Sequence, residues 1–193
     1  MNRFPLTLLS LLILAAGSAP AAVETYQIDP VHSSVGFRIR HIVTPVPGSF
    51  AKFTGTIVVD RDNLEHSQVT ASIDATSIDT SNGRRDDDLR SEKYFAVATF
   101  PTITFASTSW KKTGDDTYDV TGNLTLKDVT KPVTLQVKSL GFADAGRRYV
   151  SGWEAITTLD RREWNITTGA PMIGDDVAIT ITIEAVRQDQ PAP

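Results

Sequence analysis

The sequence predicts an all-β fold, a closed antiparallel eight-stranded β-barrel with one short helical insertion. Apolar and polar residues alternate with a period of two along most of the chain after residue 22, which is the pattern of half-buried strands. Compact turn signals rich in Asp, Asn and Gly separate these runs at residues 60–63, 114–116 and 174–176. A sheet of this length either splits into a sandwich or closes into a barrel, and closure is favoured because it removes exposed edges.

The chain begins with a predicted secretory leader. A single cation, Arg3, precedes an apolar run over residues 6–16, and small residues follow at 19–21. This order is typical of a signal peptide, with cleavage expected between Ala21 and Ala22. The apolar run is shorter than the ~20 residues that a spanning helix needs, although an uncleaved N-terminal anchor is the alternative. We therefore expect a cleaved leader over residues 1–21, one barrel domain over residues 22–193, and no stable membrane span after cleavage.

The predicted strands follow one another along the chain. In the first of them, Val35, Phe37, Ile39 and His41 share one face, and the intervening positions, which include Arg38 and Arg40, share the other. The same alternation places one apolar face on each later run, at residues 69–75, 103–105, 124–126, 133–137 and 177–185.

Residues 80–100 break the alternation and predict a short helix or two lying over the barrel. Ser81 or Asn82 can cap the helix, and the acidic residues 86–88 lie near its positive end. The apolar residues expected to hold this insertion against the barrel are Leu89, Tyr94, Phe95 and Phe100.

Composition excludes several classes of function. The 193 residues contain no cysteine, which removes disulfides, thiolate zinc sites, iron–sulfur clusters and Cys nucleophiles. A net charge of −4 argues against nucleic acid as a partner. His32, His41 and His66 are too dispersed for a helix-borne metal pair, so no metal site is expected. No nucleophile elbow, zinc-protease motif or phosphate loop is present, so an enzyme is not expected. An exported hydrolase whose carboxylates converge from distant strands remains the main alternative.

Several ordered motifs resemble the YceI family of exported polyisoprenoid-binding proteins. The residues that carry the resemblance are Tyr26 to Phe37 with His41, Gly48-x-Phe50-x-x-Phe53-x-Gly55, Ser77 to Thr80, Asp88 to Ser91 with Tyr94-Phe95 and Phe100-Pro101, and Leu124 to Leu126 with Val129 to Val133. Two positions depart from the family pattern, since Asp128 and Asn165 stand where that family usually has glycine. The departure at Asn165 questions any contact that needs a bare glycine backbone.

The resemblance implies an extended lipocalin-like barrel in the periplasm that holds a long apolar chain without performing chemistry. The chain would belong to an isoprenoid quinone, a prenyl phosphate or a fatty amide, held for transport, storage or protection, with a role in envelope stress response. It also implies a homodimer, and no cofactor beyond the bound lipid. A partner-docking module with a filled barrel is the remaining alternative.

The candidate pocket residues are the inward-facing apolar residues, which alternation alone assigns equally well to an ordinary core. They are Phe37, Ile39, Phe50, Phe53, Ile103, Phe105, Leu124, Leu126, Trp153, Ile156 and Ile181. The head-group candidates are His41, Arg38 and Arg161, with Arg40 and Arg162 beside them. The basic and acidic blocks at residues 84–88 indicate a solvated helix face or, as the alternative, a diphosphate site.

Overall fold

The computed structural model describes residues 23–188, so the predicted leader lies outside the described residues. The described chain forms strands β1 (Val23–Ile28), β2 (Ser34–His41), β3 (Thr44–Phe50), β4 (Phe53–Asp60), β5 (Gln68–Asp74), β6 (Ile78–Asp79), β7 (Thr102–Lys112), β8 (Thr117–Leu126), β9 (Val129–Asp144), β10 (Tyr149–Asp160) and β11 (Ile173–Arg187). Helix α1 spans Gly83–Arg90, and short 3₁₀ turns lie at Leu64–His66, Ala75–Ser77 and Arg161–Trp164.

Eight of these strands form a closed antiparallel ring, which confirms the predicted fold. The order is β1-β4-β5-β7-β8-β9-β10-β11, and β1 pairs with β11 to close it. The three remaining strands continue the ring at one end, where β2 pairs with β11, β3 with β2, and β6 with β3. The barrel thus has a closed half, where β1 and β4 form the wall, and a cavity half, where β2, β3 and β6 replace them.

The break between β1 and β2 is built by the residues that opened the family resemblance. Strand β11 pairs with β1 near Ala185 and with β2 from Ile173 to Thr182, so both strands run along one edge of β11. At the break, the backbone N–H of Asp29 donates to the carbonyl of Glu184 at 2.9 Å. The Ser33 hydroxyl accepts from the Glu184 N–H at 3.0 Å and donates to its carbonyl at 3.2 Å. These bonds keep the chain attached to β11 while its direction changes.

The wall of the cavity half is interrupted between β6 and β7. Pairing of β5 with β7 ends at Asp74 and Thr102, and the described part of β6 pairs only with β3. Helix α1 and the turns that follow it cover this gap, as the sequence predicted. Asn82 caps α1 by accepting from the Arg85 N–H at 3.1 Å. Arg90 ties the far end to the wall by donating to the carbonyl of Ile78 at 2.8 Å.

Two apolar clusters occupy the two halves. In the closed half, Trp110 meets the ring of Trp153 edge-on at 5.6 Å, and this cluster fills the interior. Its fully buried members include Tyr26, Val59, Val120 and Ala185, each 0% exposed. In the cavity half, the second cluster packs around Phe50, Phe53, Ile78 and Ile103 beneath the helical insertion.

Tyr26 carries a buried phenol in the closed half. Its hydroxyl donates to Glu24 at 2.6 Å. Burial, followed by the hydrogen bond and the negative charge of Glu24, raises the pKa of Tyr26 from 10.0 to about 12. The folded state therefore favours the neutral phenol more strongly than the unfolded state does.

The raised pKa predicts alkaline destabilisation. Because the folded pKa exceeds the unfolded one, the contribution is fully present below pH 10 and is lost as pH rises through about 12. A rise of the pKa from 10.0 to about 12 corresponds to roughly 3 kcal/mol in the free energy of unfolding. Urea unfolding at pH 8 to 12 should show this loss in the wild type and a smaller loss in Tyr26→Phe. Equal pH dependence in the two proteins would contradict the assignment to Tyr26.

Candidate ligand-binding site

The cavity half encloses an apolar cavity of about 410 Å³. Its wall comes from every side of this half: β2, β3, β7 to β11, and the helical insertion. The apolar lining residues are Phe37, Ile39, Val46, Phe50, Leu89, Tyr94, Phe95, Ile103, Phe105, Leu124, Leu126, Val133, Leu135, Leu159, Trp164, Ile166, Ile173, Val177, Ile179 and Ile181. The polar lining residues are His41, Thr80, Arg85, Asp88, Thr157 and Arg161.

The inward side chains of this half are not fully buried. Ile39, Leu124 and Ile179 face inward yet remain partly exposed, whereas Val59 and Val120 in the closed half are 0% exposed. Inward residues of the cavity half therefore surround open space rather than one another. Most barrel interiors of this strand number are filled by side chains or leave room for one small ligand, and this barrel has one filled half and one half with an open cavity.

Two glycines make room for aromatic side chains in the wall. Phe37 pairs across the sheet with Gly48, and its ring occupies the space that a Cβ at position 48 would need. The ring of Phe105 likewise fills the place of a Cβ at Gly122. Both rings therefore lie against the backbone of a neighbouring strand instead of projecting across the cavity.

The structure brings eight of the eleven predicted pocket residues to the cavity wall. These are Phe37, Ile39, Phe50, Ile103, Phe105, Leu124, Leu126 and Ile181. Phe53 does not line the cavity but packs in the cluster beneath the insertion, at 8% exposure. Trp153 lies in the closed half and belongs to the filled core.

The prediction that Ile156 points into the barrel is wrong. It is 52% exposed on the outer surface, because Trp153, Ala155, Thr157 and Leu159 occupy the inward positions of β10. Residues 153 and 156 have opposite parity and cannot share a face of one regular strand. A bulky aliphatic residue was assigned inward on hydrophobicity, whereas the smaller Ala155 and Thr157 hold the inward positions.

The predicted head-group residues separate. His41 lines the cavity and is exposed at the end of β2. Arg38 lies exposed on the opposite face of the same strand and does not line the cavity. Arg162 is exposed and pairs with Asp160 at 2.5 Å, and its guanidinium holds the pKa of that carboxyl at about 2.

Arg161 lines the cavity, but its side chain is hydrogen-bonded to the loop that follows it in the sequence. It is 5% exposed, and its side chain donates to the carbonyls of Gly174, Ile166, Thr168 and Ile173 and to the carboxylate of Asp175. A guanidinium has five N–H donors, and these bonds use all of them. Arg161 therefore stabilises the loop over residues 161–174 and has no N–H donor left for the expected head-group contact.

Asn165 follows this turn in the left-handed conformation, at φ 59° and ψ 28°. Glycine adopts this conformation at little cost, and asparagine tolerates it better than most residues. The replacement of the family's usual glycine therefore leaves the turn intact.

Arg85 is a cavity residue that the list of pocket and head-group candidates missed. Its Nε donates to the Thr80 hydroxyl and its Nη2 to the Thr80 carbonyl, both at 2.7 Å. The buried carboxylate of Asp86 accepts from the N–H of Thr80 at 2.9 Å and from its hydroxyl. These bonds fix one edge of the Arg85 guanidinium, and Nη1 makes no hydrogen bond within residues 23–188. The signal in the sequence was the charged block at 84–88, for which a diphosphate site was the alternative interpretation.

One group of metal-ligating residues lies outside the cavity. Asp29, His32 and Glu184 place one ligand atom each within 4.8 Å of one another. The guanidinium of Arg148 already bridges both carboxylates, at 3.1 Å from Asp29 and 3.1 Å from Glu184. The Nδ1 of His32 donates to the carboxylate of Asp29 at 2.9 Å. The guanidinium of Arg148 is therefore the cation that these carboxylates bind beside the β1–β2 break.

None of the helices within residues 23–188 has the length and apolar character needed to cross a membrane.

Comparison with known proteins places this geometry among relatives. The model of the YceI-like domain matches residues 26–185. The chain is 41% identical over 188 residues to UPF0312 protein ECA1782 of Pectobacterium atrosepticum, covering 94% of this chain and 97% of the relative. It resembles the crystal structure of Burkholderia cenocepacia BcnA with a TM-score of 0.74 and 25% identity, over 81% of this chain and 98% of that one.

A second solved structure shares the fold at lower sequence identity. It is described as a polyisoprenoid binding domain from Saccharophagus degradans implicated in plant cell wall breakdown. The TM-score is 0.67 at 15% identity, covering 84% of this chain and 98% of that one. The match of the family model over most of the chain, together with the 41% identical relative, shows that this protein belongs to the YceI-like domain family.

Proposed function

We propose that this protein binds a polyisoprenoid, or a similarly long apolar chain with a polar head, inside the cavity half of its barrel. The observation that carries the proposal is the open cavity of about 410 Å³ with an almost entirely apolar wall. This volume lies within the roughly 300–1,000 Å³ typical of small-molecule sites. The polyisoprenoid-binding description of the Saccharophagus degradans neighbour supports the same class of ligand.

The apolar wall can supply enough binding free energy for such a ligand. Burying ~10 CH₂ equivalents at ~0.8 kcal/mol each gives about −8 kcal/mol before ordering costs. That value corresponds to a dissociation constant of roughly 1 μM. Affinity should therefore grow with the length of the chain until the cavity is full.

A polar head would lie beside His41 and Arg85. Both residues line the cavity and are exposed to solvent, whereas Arg161 has no donor left for a ligand. A guanidinium binds anionic oxygens through charge-assisted hydrogen bonds. A prenyl phosphate fits this end of the cavity best, and a quinone or a fatty amide can accept from the same groups.

The alternatives from other classes meet specific difficulties in the structure. A partner-docking module with a filled barrel does not match the open cavity in the cavity half. For a hydrolase that uses two carboxylates, the described lining offers only Asp88 as an acid. A panel of ester, glycoside and phosphate substrates tests the hydrolase, and turnover that depends on Asp88 would favour it over the carrier.

The predicted leader supports export to the periplasm, where the bound lipid would be transported, stored or protected, including under envelope stress. The family resemblance also supports a homodimer, which size-exclusion chromatography with light scattering tests directly. These roles follow from the leader and the resemblance rather than from the cavity.

The first experiment is purification from the envelope fraction under native conditions, followed by denaturation, organic extraction and mass spectrometry. A stoichiometric prenyl species or other long-chain amphiphile supports the carrier and names its ligand. An empty protein that takes up no added quinone or prenyl phosphate contradicts it.

Filling the cavity should weaken binding. Ile179 on β11 lines the cavity, whereas Ile156 on the adjacent strand β10 pairs with Thr180 and points outward. Ile179→Trp should displace about two CH₂ groups of ligand and weaken binding about tenfold. Fluorescence titration with prenyl chains of increasing length measures this loss, which should be greatest for the longest chains.

The matched control is Ile156→Trp, which adds the same side chain on the outside and should leave affinity unchanged. Thermal unfolding of both variants establishes that each is folded. Equal affinities of the two folded variants would place the ligand elsewhere.

The polar end should discriminate among head groups. Arg85→Gln removes a charge-assisted donor and should weaken binding of a prenyl phosphate about tenfold, with little effect on the matching prenyl alcohol. His41→Ala should weaken binding of a short-chain quinone, and unchanged quinone affinity would remove His41 from the head-group site. Isothermal titration calorimetry measures both, and equal losses for phosphate and alcohol would contradict the assignment of Arg85.

A further inference from the structure

The end of the barrel beside the cavity carries an exposed apolar surface, which we call the apolar tip: Ile42 and Val43 in the β2–β3 turn, and Met172 just before β11. Their exposed fractions are 50%, 86% and 53%. The N–H of Ile42 donates to the carbonyl of Met172 at 2.6 Å, so two separate segments form one surface.

The apolar tip continues the wall of the cavity. His41 immediately precedes Ile42, Ile173 immediately follows Met172, and both flanking residues line the cavity. His41 and Ile173 are also register partners in the sheet. An apolar chain leaving the cavity at this end would therefore meet the apolar tip before it met open water.

The requirements of the turn do not account for these residues. His41 pairs with Thr44, so Ile42 and Val43 form a two-residue hairpin loop, and glycine is preferred at its first position, where φ is positive. Ile42 instead adopts a φ of 55°, which is a genuine outlier for a β-branched residue. The turn therefore accepts strained, exposed aliphatic side chains, a combination that indicates a role outside folding.

The charges on the β2–β3 side of the apolar tip are positive. Residues 34–50 contain Arg38, Arg40 and His41 but no acidic residue, although the chain as a whole has a net charge of −4. On the β11 side Asp175 and Asp176 follow Gly174, and Asp175 already pairs with Arg161 and Arg162. Arg40 lies directly behind the tip, since its Nη1 donates to the carbonyl of Ile42 at 2.5 Å. Aliphatic side chains in front of a basic collar match a bilayer surface with anionic head groups.

We propose that the apolar tip inserts into the surface of an anionic lipid bilayer and places the end of the cavity against it. The inference rests on the proposed function, because it supplies the route by which an apolar chain enters without crossing water. Three side chains bury too little area for a stable protein interface of ~1,200 Å². A second copy docking through the same surface would bring Arg38 and Arg40 against their own counterparts.

Vesicle flotation tests this inference. The protein used in this experiment is produced without residues 1–21, because their apolar run would bind lipid by itself. The barrel within residues 23–188 closes without them. Vesicles of phosphatidylcholine with phosphatidylglycerol should bind the protein, and vesicles of phosphatidylcholine alone should bind it less. Arg38→Gln should reduce binding to the anionic vesicles about fivefold.

The decisive variant is Ile42→Gly combined with Val43→Ser. Glycine suits the positive φ at the first position of the turn, so the fold should be kept or stabilised, while vesicle binding should fall about tenfold or more. The matched control is Val31→Ser, which changes an equally exposed valine, 82% exposed, beside the carboxylate of Asp29. Undiminished vesicle binding by the double variant, or no binding by the wild type, overturns the inference.

Uptake of a short soluble quinone separates this inference from the proposed function. The double variant should bind the quinone in solution like the wild type. Normal quinone uptake without vesicle binding overturns docking and leaves the carrier function standing. Vesicle binding that depends on the tip, without uptake of any ligand, supports docking and contradicts the carrier.

Discussion

An eight-stranded antiparallel barrel has an interior that side chains can fill completely, and this limit governs the rest of the structure. Such an interior is either filled or leaves room for one small ligand, and in this barrel the cavity lies in the half whose wall is interrupted. Here the chain leaves the strand conformation at residues 29–33, 51–52 and 75–77, and within the described chain β6 does not pair with β7. The insertion around α1 covers that gap instead of a regular strand. The hydrogen bonds of Asp29 and Ser33 to Glu184 keep the chain attached to β11 across the first break.

This arrangement separates stability from binding. The closed half packs Trp110, Tyr118 and Trp153 around fully buried Val120, in the manner of an ordinary core. In the cavity half, inward aliphatic side chains keep exposed surface that a ligand can cover. That surface can be covered only when a ligand is present, so any ligand that binds there should also stabilise the fold by mass action. A protein built this way tolerates an open site because the other half carries the packing.

The arginine residues discussed above differ in which groups their N–H donors already bind. Arg161 is buried, and its five donors bind the loop that it organises, since a buried guanidinium is costly unless paired. Arg85 is exposed, is held on one edge by Thr80, and keeps Nη1 without a hydrogen bond among the described residues. Arg148 is shared between Asp29 and Glu184. The same residue type thus stabilises a loop, lines the cavity or bridges two carboxylates at a strand break.

The alternation of residues by itself determined that strands form, and it determined their inward faces wherever parity was followed, as at Phe37, Ile39 and Ile181. It also located the insertion and its Asn82 cap, because caps and breaks in period are local signals. Depth along the barrel is not local: Trp153 and Phe53 alternate correctly but lie in packed clusters, and Ile156 shows that hydrophobicity cannot replace parity. Only the tertiary structure decided that Arg161 is consumed by its loop, that Arg85 reaches the cavity, and that Ile42 and Met172 form one surface, because each depends on contacts between segments distant in sequence.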